Sequence, residues 1–323
     1  MNERVRASLA AAAAWRWWEG VLLLAGVASL FLLPRQALVL NEIAIVALFA
    51  LSLDLVLGYT GIVSLGHAAF FGMGAYSAAL FAKHVMPDPL VGLLVGILAA
   101  GLLGALSSVL VLRGSDLTRL MVTLGVASVL YELANKLDWL TGGTDGLQGV
   151  VMGPLFGRFD FDLSGRVAYT YSFVVLVLAV LLTRRIVKSP FGVSLQAMRD
   201  NRLRAMSIGL SVNSRLAAVY TLGAALAGAA GALLAQTTGF ASLDGLDFHR
   251  SADVMLVLVI GGTGYLYGGI FGAIAFTAIK DLFAAWTPQY WTFWLGLFLV
   301  VLVLVGRDRL IHPLTLLKKK AAP

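Results

Sequence analysis

The sequence predicts an all-α polytopic membrane protein with about ten transmembrane helices, and three observations carry that expectation. Hydrophobic residues make up 59% of the 323 positions and charged residues only 13%, against about 45–50% and 25% in soluble domains. Apolar runs recur along the whole chain, many close to the roughly 20 residues that cross a bilayer core. The basic residues collect on alternate connections, as they do when those connections are cytoplasmic.

The expected spans are 17–33, 38–57, 61–82, 90–112, 117–136, 168–187, 216–238, 252–265, 268–284 and 289–306. The first follows Arg4, Arg6 and Arg16, with Trp15, Trp17 and Trp18 at its interface. No small-x-small cleavage pattern follows it, so it reads as an uncleaved span rather than a signal peptide. The second holds the acids Glu42 and Asp54, and the third is rich in small residues. After the fifth comes one sizeable loop, 137–167, with Asp138, Asp145, Asp160, Asp162 and the run T-G-G-T-D-G-L-Q-G. The sixth and seventh flank a basic segment, 189–215. In the seventh, Ala224, Gly228 and Ala232 permit a close helix crossing. The eighth is short and meets the ninth at Gly261-Gly262-Thr263-Gly264, which suggests a broken or re-entrant pair. Gly268 and Gly272 then form a second close-crossing pair.

An even number of spans puts both termini on one side. Arg184, Arg185, Lys188, Arg199, Arg202, Arg204 and Lys318-Lys319-Lys320 make that side cytoplasmic. The same rule accounts for the net charge of +7 without invoking nucleic acid. Cysteine is absent, which excludes disulfides, thiol catalysis and Cys-ligated metal.

Several constellations bear on function. Ser64 and His67 stand three apart, so a continuous third span would place them on one polar face looking into the bundle. They lack an orienting acid and a nucleophile turn, so no catalytic site is expected. Acids within or near spans (Glu42, Asp54, Glu132, Asp253, Asp281) should face protein, water or an interface, with Lys136 and Lys280 as nearby partners for Glu132 and Asp281. The glycines at 261–272 do not form a nucleotide loop, because the G-x-x-x-x-G-K-[ST] pattern is missing. In the basic segment, Pro190 and Gly192 interrupt the preceding span. A short amphipathic helix from Ser194 to about Ile208 follows, with Leu195, Met198, Leu203 and Met206 on its apolar stripe. Such a helix either lies on anionic lipid or docks a partner protein.

The runs G-Y-T-G-I-V-S-L-G-H-A-A-F-F-G-M-G-A-Y (58–76), V-T-L (122–124), T-G-G-T-D-G-L (141–147), S-P-F-G-V-S-L-Q-A-M-R-D-N (189–201), the Ala/Gly run at 224–233 and V-I-G-G-T-G-Y-L-Y-G-G-I-F-G-A (259–273) together resemble the M-type permease subunits of ABC importers for branched-chain amino acids. The resemblance implies a fold like that of the cobalamin-type importer permeases. It implies a multi-pass protein of the bacterial inner membrane with both termini cytoplasmic. The expected partners are two cytoplasmic ATPases, a second permease subunit in a heterodimer, an external solute-binding protein and membrane lipid, with no nucleic acid. The chain itself would hold no metal or cofactor and no catalytic residue, ATP being used by the partner subunits. Relatives of this family carry urea, amides or aromatic acids, and a stand-alone secondary transporter or channel is the rival from another class. Loop 137–167 would meet the binding protein. Ser64, His67, Tyr76 and Thr123 are the candidates for the solute path. Residues 194–209 would dock the ATPase through Ala197, Met198, Arg199, Asp200, Asn201 and Gly209. Where relatives continue with a Glu-x-Ala-Ala type run, this chain has Arg202-Leu203-Arg204-Ala205-Met206-Ser207, which implies either a more acidic partner groove or a different pairing.

Overall fold

The protein is described here by a computed structural model, covering residues 17–305 apart from 115 and 163. The basic residues expected before Trp17 and after Val305, and both termini, lie outside the described residues. Ten helices of fourteen residues or more succeed one another: α1 (Trp17–Leu32), α2 (Ala37–Thr60), α3 (Ala68–His84), α4 (Pro89–Val111), α5 (Asp116–Lys136), α6 (Arg166–Val187), α9 (Val212–Thr238), α10 (Phe248–Gly261), α11 (Gly268–Trp286) and α12 (Trp291–Val305). Two short helices, α7 (Pro190–Asp200) and α8 (Arg202–Ser207), fill the connection between α6 and α9. Among the described residues there is no strand, only two isolated bridges. Six helical segments among the described residues, 34–60, 89–111, 117–136, 166–187, 212–238 and 268–286, are long and apolar enough to cross a membrane.

α2 is the hub. It is apolar on every side, as a helix enclosed by others must be, and almost all of it from Ala44 to Thr60 is buried. α6, α9, α10 and α11 all pack on it. α9 is wedged against α3, α4 and α2, and small residues permit this: a methyl group at Gly231 would strike the carbonyl of Phe71 on α3. α10 and α11 cross equally closely at Gly261 and Gly268. One end of the bundle is tied by Tyr171, whose hydroxyl donates to Gln236 Oε1 (3.0 Å), while Gln236 Nε2 donates to the Pro89 carbonyl (2.7 Å). α1 is anchored at the opposite end, where buried Glu19 meets Arg184 at 3.0 Å and Lys188 at 3.9 Å.

The structure corrects three sequence expectations. The third span does not run as helix from residue 61. Gly61 takes a left-handed conformation (φ 74°), closes α2 by donating to the Leu57 carbonyl, and leaves 61–67 non-helical before α3 begins at Ala68. This irregular backbone is tolerated because protein encloses it; the Ala68 N–H, an orphan at a helix start, finds Ser251 Oγ on α10 at 2.8 Å. The helix expected over 194–208 is two helices. Asn201 leaves helical conformation and its Oδ1 caps α8 at the Arg204 N–H (2.9 Å), as Asn side chains do at helix starts. Lys280 pairs with Glu42 of α2 at 2.9 Å rather than with neighbouring Asp281, whereas Lys136 and Glu132 do meet, at 3.5 Å and exposed.

Candidate functional site

Two places concentrate polar chemistry, one at each end of the bundle. At the first, α7 lies across the end of α2. Ser189 and Pro190 start α7 by N-cap and fixed φ, and its underside, Leu195 and Met198, is fully buried. Two arginines pin it. Arg215 donates to Ser194 Oγ at 2.6 Å and lies over the Phe191 ring at 5.9 Å. Arg199 donates to the carbonyl of Gly58, one of the last carbonyls of α2, where a helix end attracts cations. One turn back on α2, buried Asp54 accepts from the Gly264 N–H at 2.7 Å. Gly264 belongs to the break between α10 and α11 and needs its φ of 79°. Arg199, Gly58, Asp54 and Gly264 therefore join the basic segment, the hub helix and that break in one contact.

Beyond this junction α8 turns outward. Leu203, Met206 and Ile208 are exposed, beside Arg204. Gly209 ends the helix at φ 84°. Of the expected docking residues, Met198 faces the chain's own core and Ala197 is half-buried, while Arg199, Asp200, Asn201 and Gly209 are exposed.

At the opposite end, a cavity of about 490 Å³ opens among α3, α9, the connection 239–247 and the start of α10. Its walls include Phe71, Leu234 and Phe240, and its ionisable groups are Asp244, Asp247, His249, Arg250 and Asp253. The loop 142–165 reaches its rim: Leu147 and Ala241 exchange backbone hydrogen bonds of 2.7 and 3.3 Å. Outside the spans, Asp247 is opposed by its partial burial but receives the N–H and ring of His249 at 3.1 Å, so its carboxyl is held below the usual range.

The four path candidates from the sequence are packed inside the chain and line neither this cavity nor the junction. His67 is wholly buried between Phe49, stacked at 5.6 Å, and Phe70. Its Nε2 lies 2.9 Å from Ser52 Oγ, which itself donates to the Phe49 carbonyl; this assigns the ring proton to Nε2. Ser64 is not its partner and sits instead beside Tyr220. Thr123 bonds its own helix at the Leu120 carbonyl (2.9 Å) where Gly66 packs on α5, and Tyr76 is buried on α3. Sequence reasoning missed Arg250 as a site residue because Asp247–Asp253 has no motif; the available signal was a cation beside an acid three residues on, at a span end.

A family model described as "Branched-chain amino acid transport system / permease component" matches residues 37–306. The high-affinity branched-chain amino acid transport system permease protein LivM of Escherichia coli (strain K12) is 29% identical, with 91% of this chain and 74% of the relative covered. The autoinducer 2 import system permease protein LsrC of Photorhabdus laumondii is 28% identical, with 87% of this chain and 83% of the relative covered. No solved structure matches.

Proposed function

The chain belongs to the family of branched-chain amino acid transport permease components, and from that premise we propose that it is the membrane subunit of an ATP-driven importer for branched-chain amino acids in a bacterial inner membrane. It is a transport subunit without an ATPase site of its own. In the proposed assembly it forms half of the solute path with a second permease subunit. An external binding protein delivers the solute at the end carrying loop 137–167, and a cytoplasmic ATPase docks on 194–209.

The observation that carries this reading is the construction of the basic segment. Its inner helix is buttressed against α2, while its outer helix offers apolar side chains to something outside the chain. A helix lying on lipid needs no such buttress. A protein that pushes on α8 does, because the push must reach the spans. Two routes lead inward: Arg199 to the end of α2, and Asp54 to the break before α11. α10 leads on from that break toward the outer cavity. Its 14 residues span about 21 Å at 1.5 Å per residue, short of the roughly 30 Å hydrocarbon core.

The test is reconstitution. Liposomes holding the complete assembly with binding protein should accumulate leucine, isoleucine or valine only with internal ATP, and this chain alone should move none. Full-rate transport by the chain alone would make it a secondary transporter or channel. The LsrC likeness favours a second reading in which the same machine carries a different solute, as would urea, amides or aromatic acids. ATP-dependent uptake of one of those, with none of the three amino acids, would decide for it.

A further inference from the structure

The outer cavity contains two charges that the chain brings together without pairing. Arg250 and Asp253 are three apart on α10 and so point to one side of it. Asp253 lies in the field of Arg250 and, more weakly, of Lys280 and His249, yet no nitrogen–oxygen pair between Asp253 and Arg250 comes within the 4.0 Å of an ion pair. The Arg250 guanidinium makes no side-chain hydrogen bond among the described residues, its Nε is buried without a partner, and its one contact of note is the face of Phe71 at 5.2 Å. A half-buried cation held on an aromatic face, beside a carboxylate that makes no direct ion pair among the described residues, is costly, and both charges would be satisfied by a ligand that carries both complements.

The rest of the cavity narrows the ligand. Phe71, Leu234 and Phe240 make an apolar wall. A small recess lined by Ile45, Val46, Val254 and Glu42, whose carboxylate is taken by Lys280 at 2.9 Å, adjoins it behind Phe71 and Arg250. The cavity's size falls in the range of small-molecule sites, about 300–1,000 Å³. We propose that this cavity binds a zwitterionic α-amino acid with an aliphatic side chain, Arg250 taking the carboxylate, Asp253 the ammonium group, and the apolar wall the side chain. The inference rests on the amino-acid reading above and adds to it a site in the permease itself.

The experiment uses the complete permease–ATPase assembly in nanodiscs without the binding protein. Binding of radiolabelled leucine is measured in competition with leucinamide, which lacks the carboxylate, and 4-methylpentanoate, which lacks the ammonium. In the wild type, leucine should compete best. In Arg250→Gln, leucine binding should fall at least about tenfold, the scale of one lost charge-assisted hydrogen bond, and its advantage over leucinamide should vanish. In Asp253→Asn its advantage over 4-methylpentanoate should vanish, while Arg250→Lys should keep part of the carboxylate preference. A variant that merely misfolds lowers all three ligands together and leaves their ratios unchanged. Unchanged ratios with undiminished leucine binding in both Arg250→Gln and Asp253→Asn, or no leucine binding by a wild-type assembly that still imports leucine with its binding protein, would overturn the site and leave the transport reading standing. An assembly that imports none of the three amino acids would instead sink that reading, and the site's assignment with it.

Discussion

Asp54 is a carboxylate inside the most buried helix of the bundle, a position that only protein partners can make tolerable. One of its oxygens accepts the Gly264 N–H; the other finds no hydrogen bond among the described residues. What matters about Asp54 is thus the acceptor it offers to a glycine whose backbone no helix can satisfy. Asp54→Asn keeps an acceptor in place, whereas Asp54→Ala leaves a buried N–H orphaned, at a cost of about 1–3 kcal/mol. Thermal unfolding of the solubilised assembly should therefore rank wild type and Asp54→Asn together, with Asp54→Ala clearly lower. If Asn and Ala fell equally, the negative charge facing Arg199 would be the important property instead. His67 shows the opposite logic: a polar ring fixed by one hydroxyl and two aromatic rings is a packing element.

Elements explain why much was legible in the sequence and some was not. Long apolar runs announce helices by composition alone, so the ten helices and the short α10 followed from it. What composition cannot reveal is where a helix stops because a distant partner holds its broken end. Residues 61–67 read as helix since Gly, Ser and His are tolerated in a bundle, yet Gly61 turns left-handed and Ser251, far along the chain, receives the next helix. The amphipathic stripe of the basic segment misled in the same way. Its apolar residues divide at Asn201 into an inner pair, Leu195 and Met198, buried in the chain's own core, and an outer set, Leu203, Met206 and Ile208, which is exposed. That division yields a sharper prediction for α8. Leu203→Asp or Met206→Asp should abolish co-purification of the ATPase while leaving membrane insertion and permease pairing intact, since both side chains are exposed in the free chain. Met198→Asp should instead lower the yield of the permease itself. Normal ATPase retention in the Leu203 and Met206 variants would remove α8 from the docking surface.

For the whole molecule, the outer cavity and the buttressed basic segment make functional sense only if they face opposite sides of the membrane. Their separation follows from the contacts. Leu147 meets Ala241 at the cavity end, and Arg199 meets Gly58 at the other, with α2 and α9 running between. In the proposed orientation α8 lies in the cytoplasm, in keeping with the bias of Lys and Arg toward the connection 188–211. Because the chain has no cysteine, a single introduced thiol reports its own side without background. Arg158 and Ser207 are both exposed and lie at opposite ends. In intact cells a membrane-impermeant maleimide that enters the periplasm should label Arg158→Cys, and should reach Ser207→Cys only after the inner membrane is opened. Labelling of Ser207→Cys in intact cells would turn the bundle over. It would place α8 where no ATP-driven partner can reach it, so the orientation, the docking surface and the direction of transport stand or fall on that one measurement.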